Sequence, residues 1–137
     1  MKKIFSKVDE GLLMHTINRY DEIAEKRTDL SPEEEFLQVS VFRLNEGKTF
    51  RAHQHIECNK VANITQESWV VVKGSVKVFL YDVDQTLLAE ETLGQGDCTI
   101  SFRGGHNYLC LEDDTVVYEY KTGPYYGQEL DKEFIDV

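Results

Sequence analysis

Three histidines and one carboxylate are spaced so that they could do chemistry together. His53 and His55 are separated by one residue, Glu67 follows after eleven intervening residues, and His106 comes directly after Gly104 and Gly105. Imidazole and carboxylate are the side chains that suit first-row divalent metals. On an extended strand residues i and i+2 face the same way, so a strand through His53 and His55 would set two imidazoles side by side. Glu67 opens a run of strand-forming residues through Lys73 that ends at Gly74, where a turn can form without steric cost. Glu57 extends the His53–His55 face by one step and is the rival carboxylate, while the six-residue gap to Gly74 favours Glu67. A polar outer strand face, on which Arg51 would also lie, is the plainer reading of the two histidines. Glycines before His106 allow a close turn that aims the imidazole inward. His15 lacks any partner pattern and reads as structural.

The order Gly47, His53, His55, Glu67, Gly74 resembles the first motif of the cupin superfamily. The spacer Ile56 to Gln66 is longer than the family's. Gly96-Asp97 and Gly104-Gly105-His106 are similar to its second motif, with Phe102 where the family has proline, one residue fewer before His106, and Cys110 in place of the closing asparagine. The resemblance spans about residues 36 to 122. It implies a double-stranded β-helix, or jelly roll, holding one divalent transition metal (Fe, Mn, Ni, Co or Zn) through His53, His55, Glu67 and His106. Three imidazoles and a carboxylate leave coordination positions open for a substrate oxygen or dioxygen.

The elements that must position these groups are short strands. Strand character runs over Phe36 to Leu44, Thr49 to Ile56, Ser68 to Lys73, Val76 to Asp82, Leu87 to Thr92, Cys98 to Phe102, Tyr108 to Leu111 and Val116 to Lys121, with turn residues between most of them. Many short strands with regular turns predict an all-β antiparallel sandwich or barrel. The expected organisation is an N-terminal extension over 1–35, a barrel over 36–122 and a tail over 123–137. Within the extension, Leu13, Ile17, Tyr20 and Ala24 follow helical spacing, whereas Leu13, His15 and Ile17 alternate as a strand would before a one-turn helix. Ser31-Pro32, followed by Glu33, Glu34 and Glu35, suits a short helix or turn. The tail reads as a solvated extension packing through Tyr125, Tyr126 and Phe134.

By strand parity Trp69 shares the face of Glu67, and Tyr108 and Cys110 share that of His106. Trp69 is therefore expected in the core or on a pocket wall, and Cys110 as a small buried residue. The stretch Glu119 to Tyr125 after Gly104-Gly105-His106 resembles the end of small bacterial cupins found with surface-polysaccharide synthesis. That implies a carbohydrate or nucleotide-sugar substrate and an isomerase or epimerase, with Tyr108, Glu119, Lys121 or Tyr118 moving a proton. A non-catalytic small-molecule binding module and a metal-dependent oxygenase are the alternatives.

Composition narrows the classes further. With 137 residues the chain is about one domain, able to bury a core without staples. The net charge is −10 and no Lys/Arg cluster exists to hold phosphate backbones, so nucleic acid is excluded as the expected partner. Cys58, Cys98 and Cys110 form no C-x-x-C pair, which fits a reducing, cytoplasmic setting. Lys7, Asp9 and Glu10 break the apolar run that a secretion signal or membrane span needs. A homodimer is expected, with the N-terminal segment covering a neighbour's exposed sheet edge.

Overall fold

The computed structural model describes residues 1–136. Its strands are β1 (Lys2–Phe5), β2 (Leu13–Asn18), β3 (Arg27–Asp29), β4 (Ser40–Phe42), β5 (Glu67–Lys73), β6 (Val76–Tyr81), β7 (Leu87–Leu93), β8 (Cys98–Ser101), β9 (His106–Cys110) and β10 (Val116–Lys121), with one short helix, α1 (Gln128–Asp131), and a 3-10 turn at Tyr20–Glu22. All pairings are antiparallel. A five-stranded sheet runs β1-β2-β8-β5-β10, a three-stranded sheet runs β7-β6-β9, and β3 pairs with β4. The regular structure is thus nearly all β, compatible with a β-sandwich. No described helix is long and apolar enough to cross a membrane.

Alternation explains the layers. Val76, Val78 and Leu80 of β6 are fully buried, and they pack with Ile4, Ile17, Val71 and Leu93 between the two larger sheets. Burying each of these side chains stabilises the fold by about 1.5–3 kcal/mol. The opposite face of the five-stranded sheet has its own cluster of Leu30, Cys98, Ile100 and Phe102, covered by Leu37, Val39 and Val41 around β3 and β4. Gly74 turns β5 into β6 at φ +79°, and a Cβ there would sit 2.5 Å from Thr115 Oγ1. Glycine is required at this position by both backbone and neighbour.

Near the N-terminus the strand alternation prevails over the helical spacing. Leu13, His15 and Ile17 lie on β2, which pairs with β8 of its own chain and is followed by the 3-10 turn. Glu33 and Glu34 form a turn closed by Glu35 N–H donating to Pro32 O. The strand expected over Phe36 to Leu44 shortens to Ser40–Phe42, and the one expected over Thr49 to Ile56 does not form. Residues 43–66 hold neither helix nor strand. A strand needs a ladder partner, and both sides of the neighbouring β5 are taken by β8 and β10. Phe50 and Ile56, whose burial would have fixed such a strand, are 57% and 83% exposed.

Candidate functional site

Register across the large sheet places four polar residues in one line. His15 of β2 lies opposite Ser101 of β8, Ser101 opposite Glu67 of β5, and Glu67 opposite Lys121 of β10. Directly paired residues share a face, so all four point toward the smaller sheet. One step along, Thr99, Trp69 and Glu119 repeat the line. From across the sandwich β9 brings His106 and Tyr108, paired with Leu80 and Val78. The two sets enclose a cavity of about 720 Å³, whose walls include Glu67, Trp69, Ser101, His106, Tyr108 and Glu119.

Glu67 is the centre of this arrangement. Its Oε1 accepts from His106 Nε2 at 3.0 Å and from Trp69 Nε1 at 3.1 Å. Burial by itself would raise the Glu67 carboxyl, but the hydrogen bond and charge of His106, with Lys132 and Lys121 behind, hold it below the usual carboxylate range. Because Oε1 accepts, Nε2 of His106 carries the hydrogen. The other ring nitrogen, Nδ1, is buried with no hydrogen-bond partner among the described residues. A carboxylate that orients an imidazole and leaves its second nitrogen unengaged is the geometry of an acid/base pair.

Aromatic and charged groups surround the pair. Trp69 stacks on Tyr108 with ring centres 3.8 Å apart and planes within 1°. The Tyr108 hydroxyl pairs with Thr99 Oγ1 at 2.9 Å, and burial pushes its pKa up, so it stays neutral. Trp69 Nε1 also reaches Glu119 Oε2 at 3.2 Å. Lys121 Nζ stands 3.8 Å from Glu119 and 3.7 Å from Asp131, over the Tyr125 ring at 4.3 Å. Tyr118 is on the other face of β10, 59% exposed beside Tyr120, away from the cavity.

Behind the wall, His15 is fully buried. Tyr81 O can only accept, so Nε2 of His15 donates to it at 3.0 Å and Nδ1 accepts from Ser101 Oγ at 3.0 Å. Burial drives its pKa down to about 4, against the backbone hydrogen bond to Tyr81, with His106 adding to the depression. His15 is thus the satisfied core histidine that its lack of motif suggests. Arg103, another wall residue, is held by buried Glu35 at 2.7 Å.

His53 and His55 lie elsewhere in the chain's course. Both are exposed on the irregular run 43–66, their rings 5.6 Å apart, with His53 Nδ1 donating to Arg51 O at 3.0 Å. Glu57 and Arg51 are exposed on the same run. The structure brings Glu67 and His106 together, hydrogen-bonded directly to each other, and among the described residues no three His, Cys, Asp or Glu side chains gather as a metal-holding group. The four-ligand set does not fit this arrangement. Cys110, expected to be buried, is exposed at the end of edge strand β9.

One whole wall of the cavity was not legible in the sequence. Asp131, Lys132, Glu133, Phe134 and Ile135 of the C-terminal segment line the cavity. The tail docks there through Asp131 and Ile135, whereas Tyr125, Tyr126 and Phe134, expected to anchor it, are 55%, 76% and 76% exposed. Periodicity carries no trace of a contact so distant along the chain. No family model, curated protein or solved structure matches the chain.

Proposed function

We propose that the cavity between the two larger sheets takes a small polyhydroxylated ligand of the carbohydrate type, and that Glu67 and His106 move a proton on it in an isomerisation or epimerisation. The observation that carries this reading is Glu67 Oε1 fixed at once by His106 Nε2 and Trp69 Nε1 on the cavity wall. With Oε1 engaged by two donors, Oε2 is the carboxylate oxygen left to accept from a ligand hydroxyl. His106 supplies the imidazole, its tautomer set by Glu67, and Nδ1 is the atom that takes or gives the proton. Reaching Nδ1 requires the ring or its cover to shift when a ligand enters, since that atom is shielded in the free protein.

Charge narrows the ligand. Glu67, Asp82, Glu119, Asp131 and Glu133 line the cavity against Arg103 and Lys132, and Glu35 already engages Arg103. An uncharged sugar suits this field better than a nucleotide sugar, whose phosphates would meet like charge. Lys121 and Tyr108 act by position, the first between Glu119 and Asp131 and the second as the fixed backing of Trp69. The proton transfer needs only Glu67 and His106 and draws on no group held by His53 or His55.

The test is a panel of neutral mono- and disaccharides, followed by NMR in D2O for exchange of a carbon-bound hydrogen of the sugar. Binding with exchange, lost in Glu67→Gln and in His106→Gln, supports the proposal. Binding without exchange assigns the cavity to a non-catalytic module. No binding by any sugar, with dioxygen consumed by an iron-loaded sample, assigns it to the oxygenase class instead.

A further inference from the structure

Residues 131–135 of the C-terminal segment line the cavity, and this stretch is fastened at both ends. At its start Asp131 Oδ1 accepts from Thr65 Oγ1 at 2.6 Å, and Asp131 Oδ2 lies 3.7 Å from Lys121 Nζ. At its end Ile135 enters a notch that exists only because residue 105 is glycine. A Cβ on Gly105 would stand 2.2 Å from Ile135 Cδ1, while the next neighbour, Tyr81 Cβ, would be at an ordinary 3.5 Å. Lys132, Glu133 and Phe134 bridge the span between these fastenings, line the cavity and face solvent.

We propose that residues 131–135 are a ligand-contacting wall of the site, latched shut by Ile135 in the Gly105 notch, and that ligands enter and leave when this latch opens. The latch is the weaker fastening, one aliphatic side chain seated on a backbone surface. Its release frees the far end of the wall while Asp131 keeps the near end tethered. Gly105 directly precedes His106, so the notch and the proposed acid/base group sit on the same turn into β9. A closed wall limits the access of water to the Glu67–His106 pair, which strengthens the electrostatic coupling inside. The space being closed is the cavity of the proposed sugar site, yet its closure is read without a sugar. Failure of the carbohydrate reading therefore leaves this test intact.

Gly105→Ala is the direct lever. The backbone at Gly105 is outside the left-handed region, so alanine is tolerated there and the added methyl displaces only the tip of Ile135. In methyl-labelled protein the Ile135 δ1 methyl should show contacts to Gly105 and Tyr81 in the parent chain. Gly105→Ala should abolish them while leaving the methyls of Ile4, Ile17 and Ile100 unmoved. Trp69 is the only tryptophan and lies on the same cavity wall, so acrylamide quenching reads access to the cavity. Its quenching slope should rise in Gly105→Ala and, by the same opening, in Ile135→Ala, toward the slope of the unfolded chain. Ile135 contacts absent from the parent protein, or quenching slopes in both variants equal to the parent's, would overturn the proposal.

Discussion

Residues 43–66 and residues 67–121 carry the same kinds of side chain and meet opposite fates. The first run holds His53, His55, Glu57 and the large apolar residues Leu44, Phe50, Ile56, Val61 and Ile64, and every residue from 43 to 64 is exposed. The second holds Glu67 and His106, and these are drawn into one hydrogen-bonded pair on a cavity wall. The presence of histidine and glutamate does not separate the two runs. Ladder partners do: Glu67 sits on a strand paired on both sides, and His106 on one paired with β6, whose Val76, Val78 and Leu80 are fully buried. A side chain becomes part of a site when its backbone is held, because each ordered residue costs about 1–2 kcal/mol of backbone entropy that pairing and burial must offset.

The largest expected effect breaks the pair itself. His106→Gln should lower turnover on any sugar that the protein isomerises by about 10²- to 10⁴-fold, the usual worth of a positioned acid/base group. Glu67→Gln should do comparable damage, since the imidazole then loses the carboxylate that sets its tautomer. Steady-state rates measured on folded variants check both. A loss under tenfold would remove the pair from the chemistry.

Next in size is a pH effect from the buried row behind the pair. The unfolded chain protonates His15 near 6.5, whereas the folded protein resists until about 4. Stability is therefore fully present above 6.5 and falls as pH drops through that window, by roughly 3 kcal/mol at 1.36 kcal/mol per unit. Burial raises the Asp97 carboxyl, but Tyr20 N–H and Arg19 hold it low, and carboxylates held low in this way act below about pH 5, which leaves the upper part of the window to His15. Urea unfolding at pH 7 and at pH 4.5 should show the drop, and His15→Gln should flatten it. An equal slope in that variant would assign the effect elsewhere.

A matched pair of glycine substitutions sharpens the regional comparison. Gly74 and Gly47 have similar backbones, φ +79° and +75°, but Gly74 faces Thr115 in the β5–β6 turn while Gly47 meets open space. Gly74→Ala should cost about 1–3 kcal/mol from strain and collision. Gly47→Ala should cost under about 1 kcal/mol, because an unpaired run can relax around it. Equal costs in thermal unfolding would show that 43–66 is held as firmly as the sheets.

The smallest effect belongs to the two histidines of the exposed run. His53→Ala with His55→Ala should leave sugar binding within about twofold, since neither side chain is placed with the pair. Elemental analysis after reconstitution with Fe, Mn, Ni, Co or Zn gives the decisive contrast. A stoichiometric metal lost in this double variant would join the two regions into one centre and restore the four-ligand arrangement that the cupin resemblance implies.

Sequence alone determined the strand-rich class, the placement of β5 through β10, and the facing of Glu67 with Trp69 and of His106 with Tyr108. Those follow from period-two alternation, turn glycines and the run Val70 to Val72, all of which act over a few residues. The same local signal misread Thr49 to Ile56, because alternation specifies a strand without supplying its partner. Which strands pair, that β1 and β2 complete the large sheet, that Glu67 accepts from His106, and that Ile135 closes a notch at Gly105 were decided only in the tertiary structure. Each depends on residues tens of positions apart meeting at separations of a few ångströms, and no periodicity in the chain encodes which distant segment will fill a given edge or hollow.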